Sequence, residues 1–311
     1  MQVIRDLSEL SERARGGAVA IGNFDGVHLG HARIVEQLVR RARDVDGPAV
    51  VFTFDPHPVR LLRPERCPPP LTWTERKAEL LVELGVDSMV AYPTDEAMLR
   101  LSPQEFFETI VLDRLDARAM VEGPNFFFGH DRAGTIGVLR GLTDEAGITL
   151  DVVEPHVVEG EFVSSSRIRG LIGEGRVQEA REMLTQPYRI RGMVTHGAGR
   201  GAKIGFPTAN VHAIDTLLPG EGVYAGRAWV GENTWPAAIN IGANPTFDEQ
   251  QHKVEAHLIG WSGSLYGQVL ELDFSQRLRD IHPFASAEAL QTQLAEDVKQ
   301  TQQIIAKGTT V

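Results

Sequence analysis

Two folds in series are predicted for this chain: a doubly wound α/β domain on a parallel sheet, then a small antiparallel β-barrel followed by a C-terminal helix. Three observations predict this order. Up to about residue 187, continuous apolar runs of strand length alternate with amphipathic helical stretches, the pattern of strands covered on both faces and joined by crossover helices. From Tyr188 the runs become short and partly alternating, broken by Gly, Pro, Asn and Asp, with no helical stretch before Ser286. Charge divides at the same place: residues 188–311 carry 10 basic and 12 acidic side chains, leaving 21 and 30 for residues 1–187. The expected boundary lies near Gln186-Pro187, giving domains 1–187 and 188–311.

The elements follow in chain order. Ala18 to Gly22 and Pro48 to Phe54 are strands, and between them Leu29 to Arg43 places Ile34, Val35, Leu38 and Val39 on one helical face with charges on the other. This is a strand–helix–strand crossover. Thr74 to Gly85 reads as a helix stopped at Gly85, Val86 to Tyr92 as a strand, Ser102 to Leu115 as a capped helix and Ala117 to Glu122 as the next strand. In the second part, residues 189–194, 222–230, 237–241, 254–259 and 269–274 are strand candidates, and Ser286 to Lys307 is the closing helix. Five or six strands at such spacing suit a small antiparallel barrel.

A chain of 311 residues, 42% hydrophobic and 23% charged, can bury real cores, which excludes disordered, collagenous and coiled-coil classes. Its formal charge of −11 lacks the basic surplus of a phosphate-backbone binder, so no nucleic-acid partner is expected. No apolar run approaches the ~18 residues that span a bilayer, so no membrane partner is expected either. Cys67, the single cysteine, permits neither an intrachain disulfide nor a multi-thiolate zinc site. A reducing, cytoplasmic setting with weak self-association is the resulting expectation.

Gly22-Asn-Phe-Asp-Gly-Val-His-Leu-Gly-His31 leads from a strand into a helix. Glycines let backbone N–H groups approach an anion, and the helix N-terminus adds unpaired donors and a positive dipole. His28 and His31, three apart in that first turn, can donate to phosphoryl oxygens. The set suits a nucleoside triphosphate attacked at its α-phosphorus while pyrophosphate leaves, a reaction needing positioning and charge stabilisation but no covalent protein nucleophile. A solvated histidine pair and a zinc site are the competing readings; Gly30 replaces the glutamate of a helical metalloprotease, and no third ligand is evident. Val163-Ser-Ser-Ser-Arg-Ile-Arg169 opens another helix, with Ser164 to Ser166 as N-cap candidates and Arg167 and Arg169 adding charge; an ordinary capping run is the alternative.

These two motifs, with Phe54-Asp-Pro-His-Pro58 and Gly123-Pro-Asn-Phe-Phe-Phe-Gly129, resemble the nucleotidyltransferase module of bacterial bifunctional riboflavin kinase/FAD synthetases. The resemblance implies that Gly22, Phe24, Asp25, His28, Gly30, His31, Ser164, Ser165 and Arg169 form the ATP-phosphate site, with His28 and His31 catalytic. It also implies that Asn125 and neighbouring aromatics help place nucleotide or flavin. Asn125 stands where many members carry Asp.

In the second part, the Gly-rich stretch 197–205 runs into Phe206-Pro-Thr-Ala-Asn210. Thr208 and Asn210 offer hard oxygen donors of the kind Mg²⁺ accepts beside substrate phosphates, although glycines also mark plain turns, and the P-loop pattern is absent. In Val254-Glu-Ala-His-Leu258, Glu255 and His257 share one strand face and apolar neighbours the other. Glu255 is either solvent-facing or a general base for an attacking alcohol. Residues 207–210, 222–225, 240–247, 254–255, 265–267 and 278–284 resemble, in order and spacing, the riboflavin kinase module. That resemblance implies a six-stranded riboflavin kinase-like barrel, ATP phosphates at Gly205 and Pro207, Mg²⁺ at Thr208 and Asn210, Glu255 as base, and flavin or nucleotide at Arg279. The connector Thr185-Gln-Pro-Tyr188 departs from the Gly-Arg-Pro-Tyr of many members.

The expected activity is phosphorylation of riboflavin to FMN, then adenylylation of FMN to FAD, both with ATP and Mg²⁺. Three other readings compete: a kinase with an inactive first domain, a non-catalytic flavin-binding protein, and a transfer-RNA ligase sharing the His-x-Gly-His loop. The acidic balance opposes the last.

Overall fold

The computed structural model describes residues 2–11, 14–197, 199–244 and 249–307. The chain forms two compact units, Met1–Pro68 with Trp73–Ser164, and Pro69–Thr72 with Ser165–Val311. Their division falls at Ser164/Ser165, earlier than the change of sequence texture near residue 187.

In the first unit, β1 (Gln2–Ile4), β2 (Ala18–Ile21), β3 (Ala49–Phe54), β4 (Ser88–Tyr92), β5 (Ala119–Glu122) and β6 (Thr149–Val152) make one parallel sheet, ordered β1-β4-β3-β2-β5-β6. Its helices are α1 (Leu29–Asp44), α2 (Pro58–Leu62), α3 (Thr74–Glu83), α4 (Glu96–Arg100), α5 (Pro103–Phe106) and α6 (Ile136–Ala146), followed by the hairpin β7 (Val157–Val158) and β8 (Glu161–Phe162). The doubly wound parallel architecture is therefore as predicted.

The apolar runs are continuous because both faces are covered. Ala18, Ala20, Val51 and Val121 face Val35 and Leu38 of α1 and Leu80 and Leu81 of α3. Alternate residues Val19, Ile21, Phe52 and Met120 face Phe106, Phe107, Ile110 and Leu139. The stretch predicted as one helix from Ser102 starts with a Ser102/Glu105 capping box, then widens into a π-helix over Phe107–Arg114. Strands β1 and β6 carry no strong sequence signal: β1 has three residues, and β6 is a partly exposed edge whose Asp151 accepts from Gln37 and Arg41 of α1.

The second unit contains α7 (Ser165–Gly173) and α8 (Val177–Met183), then β9 (Tyr188–Thr195), α9 (Arg200–Lys203), β10 (Ala209–His212), β11 (Gly222–Val230), β12 (Asn233–Asn244), β13 (Glu249–Leu258), β14 (Val269–Arg279) and α10 (Ala287–Lys307). The six strands close an antiparallel barrel in the order β10-β13-β12-β11-β14-β9, with α8 packed on β14 and β9. That packing is why the helices before residue 187 group with the barrel. Four-residue β10 closes the ring, and its first two residues, Ala209 and Asn210, belong to the stretch read as a ligand loop. Helix α10 covers β11, β12 and β14, tied by Arg279 to the buried Asp297 (Nη2–Oδ2 2.8 Å).

At the sheet's centre, β2 and β5 pair only at Ala18–Ala119 and Val19–Met120. Beyond that point the buried Glu122 side chain takes over, accepting from Ile21 N–H at 2.8 Å. Burial raises the Glu122 carboxyl well above the ordinary carboxylate value, with the Ile21 N–H opposing it only in part. The folded chain thus keeps a proton that the unfolded chain releases above about pH 4.5, and stability is lost as pH rises from there toward the folded value. Glu122→Gln preserves the acceptor and removes the titration. Urea unfolding should show this variant more stable than the parent at pH 8 by on the order of 1–3 kcal/mol, with the difference vanishing below pH 4.5.

Candidate active sites

The first candidate site is built on the turn between β2 and α1. Gly22 N–H donates to Phe52 carbonyl at 3.0 Å, extending the β2–β3 pairing one residue, after which the backbone turns through Phe24 (φ 46°), Gly26 (φ 83°) and Val27 (φ 39°). Phe24, Asp25 and His28 are buried. His28 is the N-cap of α1, one position before the first turn that the sequence suggests: its Nδ1 accepts from His31 N–H at 3.2 Å. With Nδ1 an acceptor, the neutral His28 ring carries its proton on Nε2. The His28 and His31 rings stack, centroids 3.6 Å apart, and Phe24 abuts His31 at 5.0 Å. A Cβ on Gly30 would stand 3.1 Å from the His28 ring, so glycine there lets the cap fold back over the helix start.

His31 Nδ1 is buried without a hydrogen-bond partner, and burial, followed by His28 and Lys77, holds this imidazole well below its ordinary value. His31 is therefore neutral near pH 7. Beneath the turn, the buried Lys77 of α3 donates to Asn23 carbonyl at 2.7 Å and to Thr53 Oγ1 at 3.3 Å, and Thr53 donates to the same carbonyl at 3.1 Å. The sequence reading missed this lysine. Its signal was available: Lys77 falls on the apolar stripe of α3 with Leu80, Leu81 and Leu84, where a lysine is out of pattern.

The remaining predicted residues of this site lie on loops and on α7. Asn125 is exposed, in a loop whose Phe128 and Gly134 exchange backbone hydrogen bonds and whose Phe126 and Phe128 rings stack at 5.3 Å. Ser164 ends the first unit; Ser165 and Arg169 belong to the second, where Arg169 Nε donates to Pro69 carbonyl at 3.0 Å. An open concavity of about 460 Å³ in the first unit, lined by Arg5, Tyr92, Met98, Leu101 and Arg114 among others, contains none of the predicted site residues.

The second candidate site lies on three adjacent barrel strands. Asn210 of β10 and Asn240 of β12 both stand directly opposite Glu255 of β13. Residues so paired have Cβ atoms about 4.5–5.5 Å apart, so two amides flank one carboxylate. Burial alternates as predicted along β13: Val254, Ala256 and Leu258 are buried, Glu255 and His257 half-buried. His257 Nδ1 meets the carbonyl of exposed Pro207 at 2.8 Å, anchoring the loop before Thr208 to β13. Gly205 takes φ 87°, and half-buried Thr208 lies beside Gly201. Arg279 is committed to Asp297 and lies over Phe284 at 5.7 Å. Residues 245–247 of the motif that begins at Asn240 lie outside the described residues.

Residues 10–167 match the FAD synthetase family, and residues 184–305 match the riboflavin kinase family. The chain belongs to the bifunctional riboflavin kinase/FMN adenylyltransferase family. Proteins so described from Pseudomonas fluorescens and Escherichia coli K12 are 35% and 32% identical to it, each over 96% of both chains. The Listeria monocytogenes protein of that description is 35% identical over 93% of this chain and 92% of its own. A Streptococcus pneumoniae structure described as a macrolide-efflux protein is 30% identical and superposes with a TM-score of 0.86, covering 97% of this chain and 98% of that one. Among the described residues no helix is long and apolar enough to cross a membrane. The protein is thus an enzyme with riboflavin kinase and FMN adenylyltransferase activities, and the histidine turn and the Asn–Glu–Asn strands lie within the respective matched regions.

Gly197 connects geometry to a test. A Cβ there would fall 2.2 Å from Asn210 Nδ2 and 2.7 Å from its Cγ, so Gly197→Ala must displace the Asn210 amide. Riboflavin phosphorylation should drop by about tenfold or more, with FMN adenylylation by the same preparation unchanged.

Proposed function

We propose that the two activities use separate residue sets, divided functionally as 1–187 for FMN adenylylation and 188–311 for riboflavin phosphorylation. The observation that carries this reading is that His28 and His31 belong to one compact unit, and Thr208, Asn210 and Glu255 to the other.

In the barrel, Glu255 accepts the proton of the ribityl 5′-hydroxyl of riboflavin as that oxygen attacks the γ-phosphorus of ATP, and ADP leaves. The loop through Gly205 and Pro207 lies along the phosphates. Among the described residues no group of three or more His, Cys, Asp or Glu side chains could hold a metal alone. Oxygen donors from Thr208 and Asn210, completed by substrate phosphates and water, nevertheless fit Mg²⁺, which retains waters and needs few protein ligands. When bound, Mg²⁺ would neutralise phosphate charge. Arg279 serves the flavin or nucleotide side by holding the end of β14 against α10.

In the adenylylation step, a phosphate oxygen of FMN attacks the α-phosphorus of ATP and pyrophosphate leaves. The attacking oxygen is already ionised, so no general base is needed. His28 donates through Nε2, the α1 N-terminus adds its dipole, and neutral His31 supplies a hydrogen bond without a full charge. Gly22, Phe24, Asp25 and Gly30 shape the turn. Ser164, Ser165 and Arg169 are assigned to the phosphates and Asn125 to the flavin by their motifs. The reaction sequence belongs to a cytoplasmic enzyme with small-molecule partners, riboflavin, FMN, FAD and ATP, and weak self-association.

Chromatographic resolution of flavins after incubation with riboflavin, ATP and Mg²⁺ tests the assignment. His28→Ala should stop the sequence at FMN, with adenylylation reduced by about 100-fold or more. Glu255→Gln should lower FMN formation by a similar factor, yet still convert supplied FMN to FAD. Loss of both reactions in either well-folded variant would refute separate residue sets.

A further inference from the structure

We propose that Lys77 is a positioning residue for adenylyl transfer: by holding the Asn23 carbonyl it fixes the strained turn that presents His28 and His31. The proposal rests on assigning these histidines to the ATP phosphates, and its test separates failure of that assignment from failure of the proposal.

Lys77 sits on α3, far in sequence from the turn, with 8% of its surface exposed. Its ammonium and the Thr53 hydroxyl both donate to Asn23 carbonyl oxygen, at 2.7 and 3.1 Å, and Lys77 also donates to Thr53 at 3.3 Å. Two donors saturate the two lone pairs of a carbonyl and set the orientation of its peptide plane. That plane is the hinge between β2 and the turn. Immediately beyond it, Phe24 and Val27 adopt φ of 46° and 39°. Such values are uncommon for any residue with a Cβ and exceptional for a β-branched one, so this backbone persists only where its surroundings over-determine it.

The charge of Lys77 is costly. Burial pulls its pKa down, opposed by Asp25 on the turn and Asp55 at the end of β3. An uncharged chain of similar volume would fill the same space without desolvating an ammonium. What such a chain lacks is a donor that reaches across from α3 to the Asn23 carbonyl. Asp55 is itself held by Thr74 at 2.6 Å and Arg5 at 3.0 Å, so the acidic side of the cluster is positioned as well. The hold of Lys77 is on the backbone that carries the predicted phosphate-binding side chains.

Lys77→Met retains the aliphatic stem and deletes the donor; Thr53→Val removes the second donor and leaves the ammonium. Both variants, as full-length chains, are compared with the parent by hydrogen–deuterium exchange of the peptide covering residues 22–31 and by steady-state adenylylation of FMN. Riboflavin phosphorylation in the same preparation reports on the barrel. Lys77→Met should speed exchange at Val27 and His31, lower kcat for adenylylation by about 10–100-fold with KM for ATP within about threefold, and leave riboflavin phosphorylation unchanged. Thr53→Val should show the same pattern with a several-fold smaller loss, and it carries the test if Lys77→Met does not fold.

Unchanged exchange across residues 22–31, a loss confined to KM, or an equal loss of kinase activity would each overturn the proposal. If His28→Ala abolishes adenylylation while folded Lys77→Met retains full kcat, the positioning role alone is refuted. If His28→Ala retains adenylylation, the histidine assignment falls first.

Discussion

The parting of β2 from β5 is the constraint on which the first unit depends. Parallel strands at the centre of a doubly wound sheet stop pairing where the crossovers reverse direction, and the crevice they leave receives ligands. Here pairing ends after two residues. The glycine turn and its histidines emerge on one side of the gap and the Gly123–Gly129 loop on the other. A buried acid, Glu122, replaces the missing ladder bond by accepting from Ile21, the last residue of β2. The backbone polar group is satisfied while the gap stays open.

The turn itself illustrates how one side chain can settle a helix start. Capping α1 through Nδ1 of His28 satisfies the helix start and leaves the proton of the neutral ring on Nε2, so one hydrogen bond settles both the helix start and the tautomer. Stacking on His31 and the absence of a side chain at Gly30 fix the ring plane. The barrel solves a different problem. Antiparallel register, not a helix terminus, brings Asn210, Glu255 and Asn240 side by side, and a carboxylate between two amides suits proton transfer from an alcohol. On the proposed assignment, the chemistry of each site follows its scaffold: dipoles and donors for developing charge at the helix start, a carboxylate on a rigid strand for the proton of an alcohol.

Legibility in the sequence was high for elements whose pattern is intrinsic. The runs at 18–22 and 48–54, the amphipathic stretch 29–43 and the alternation in 254–258 each encode their burial directly, and the corresponding elements form there. It was low where tertiary context decides. Three-residue β1 and half-exposed β6 acquire strand character only by pairing with neighbours, and β10 is short, polar and preceded by Pro207. The π-helix at 107–114 differs from an α-helix by one residue in its hydrogen-bond span, too little for periodicity to register over so short a stretch. Within the sites, the motif residues were legible from glycine, histidine, hydroxyl and carboxylate spacing. Lys77 and Thr53 were not, because each acts through a neighbour remote in sequence, and Asn240, though legible as the start of a motif, gave no sign that it faces Glu255.

By itself, then, the sequence determined the two fold classes in their order, the family, and the residue types available for phosphate binding and proton transfer, because periodicity and motif spacing are local properties of the chain. Only the tertiary structure decided that Glu122 closes the strand gap, that Lys77 holds the turn, that Asn240 faces Glu255, and that α7 and α8 join the barrel rather than the sheet that precedes them. The physical reason is the same in each case. A buried hydrogen bond, a strand register and a packed helix face are agreements between segments tens of residues apart, and no window of sequence contains both partners.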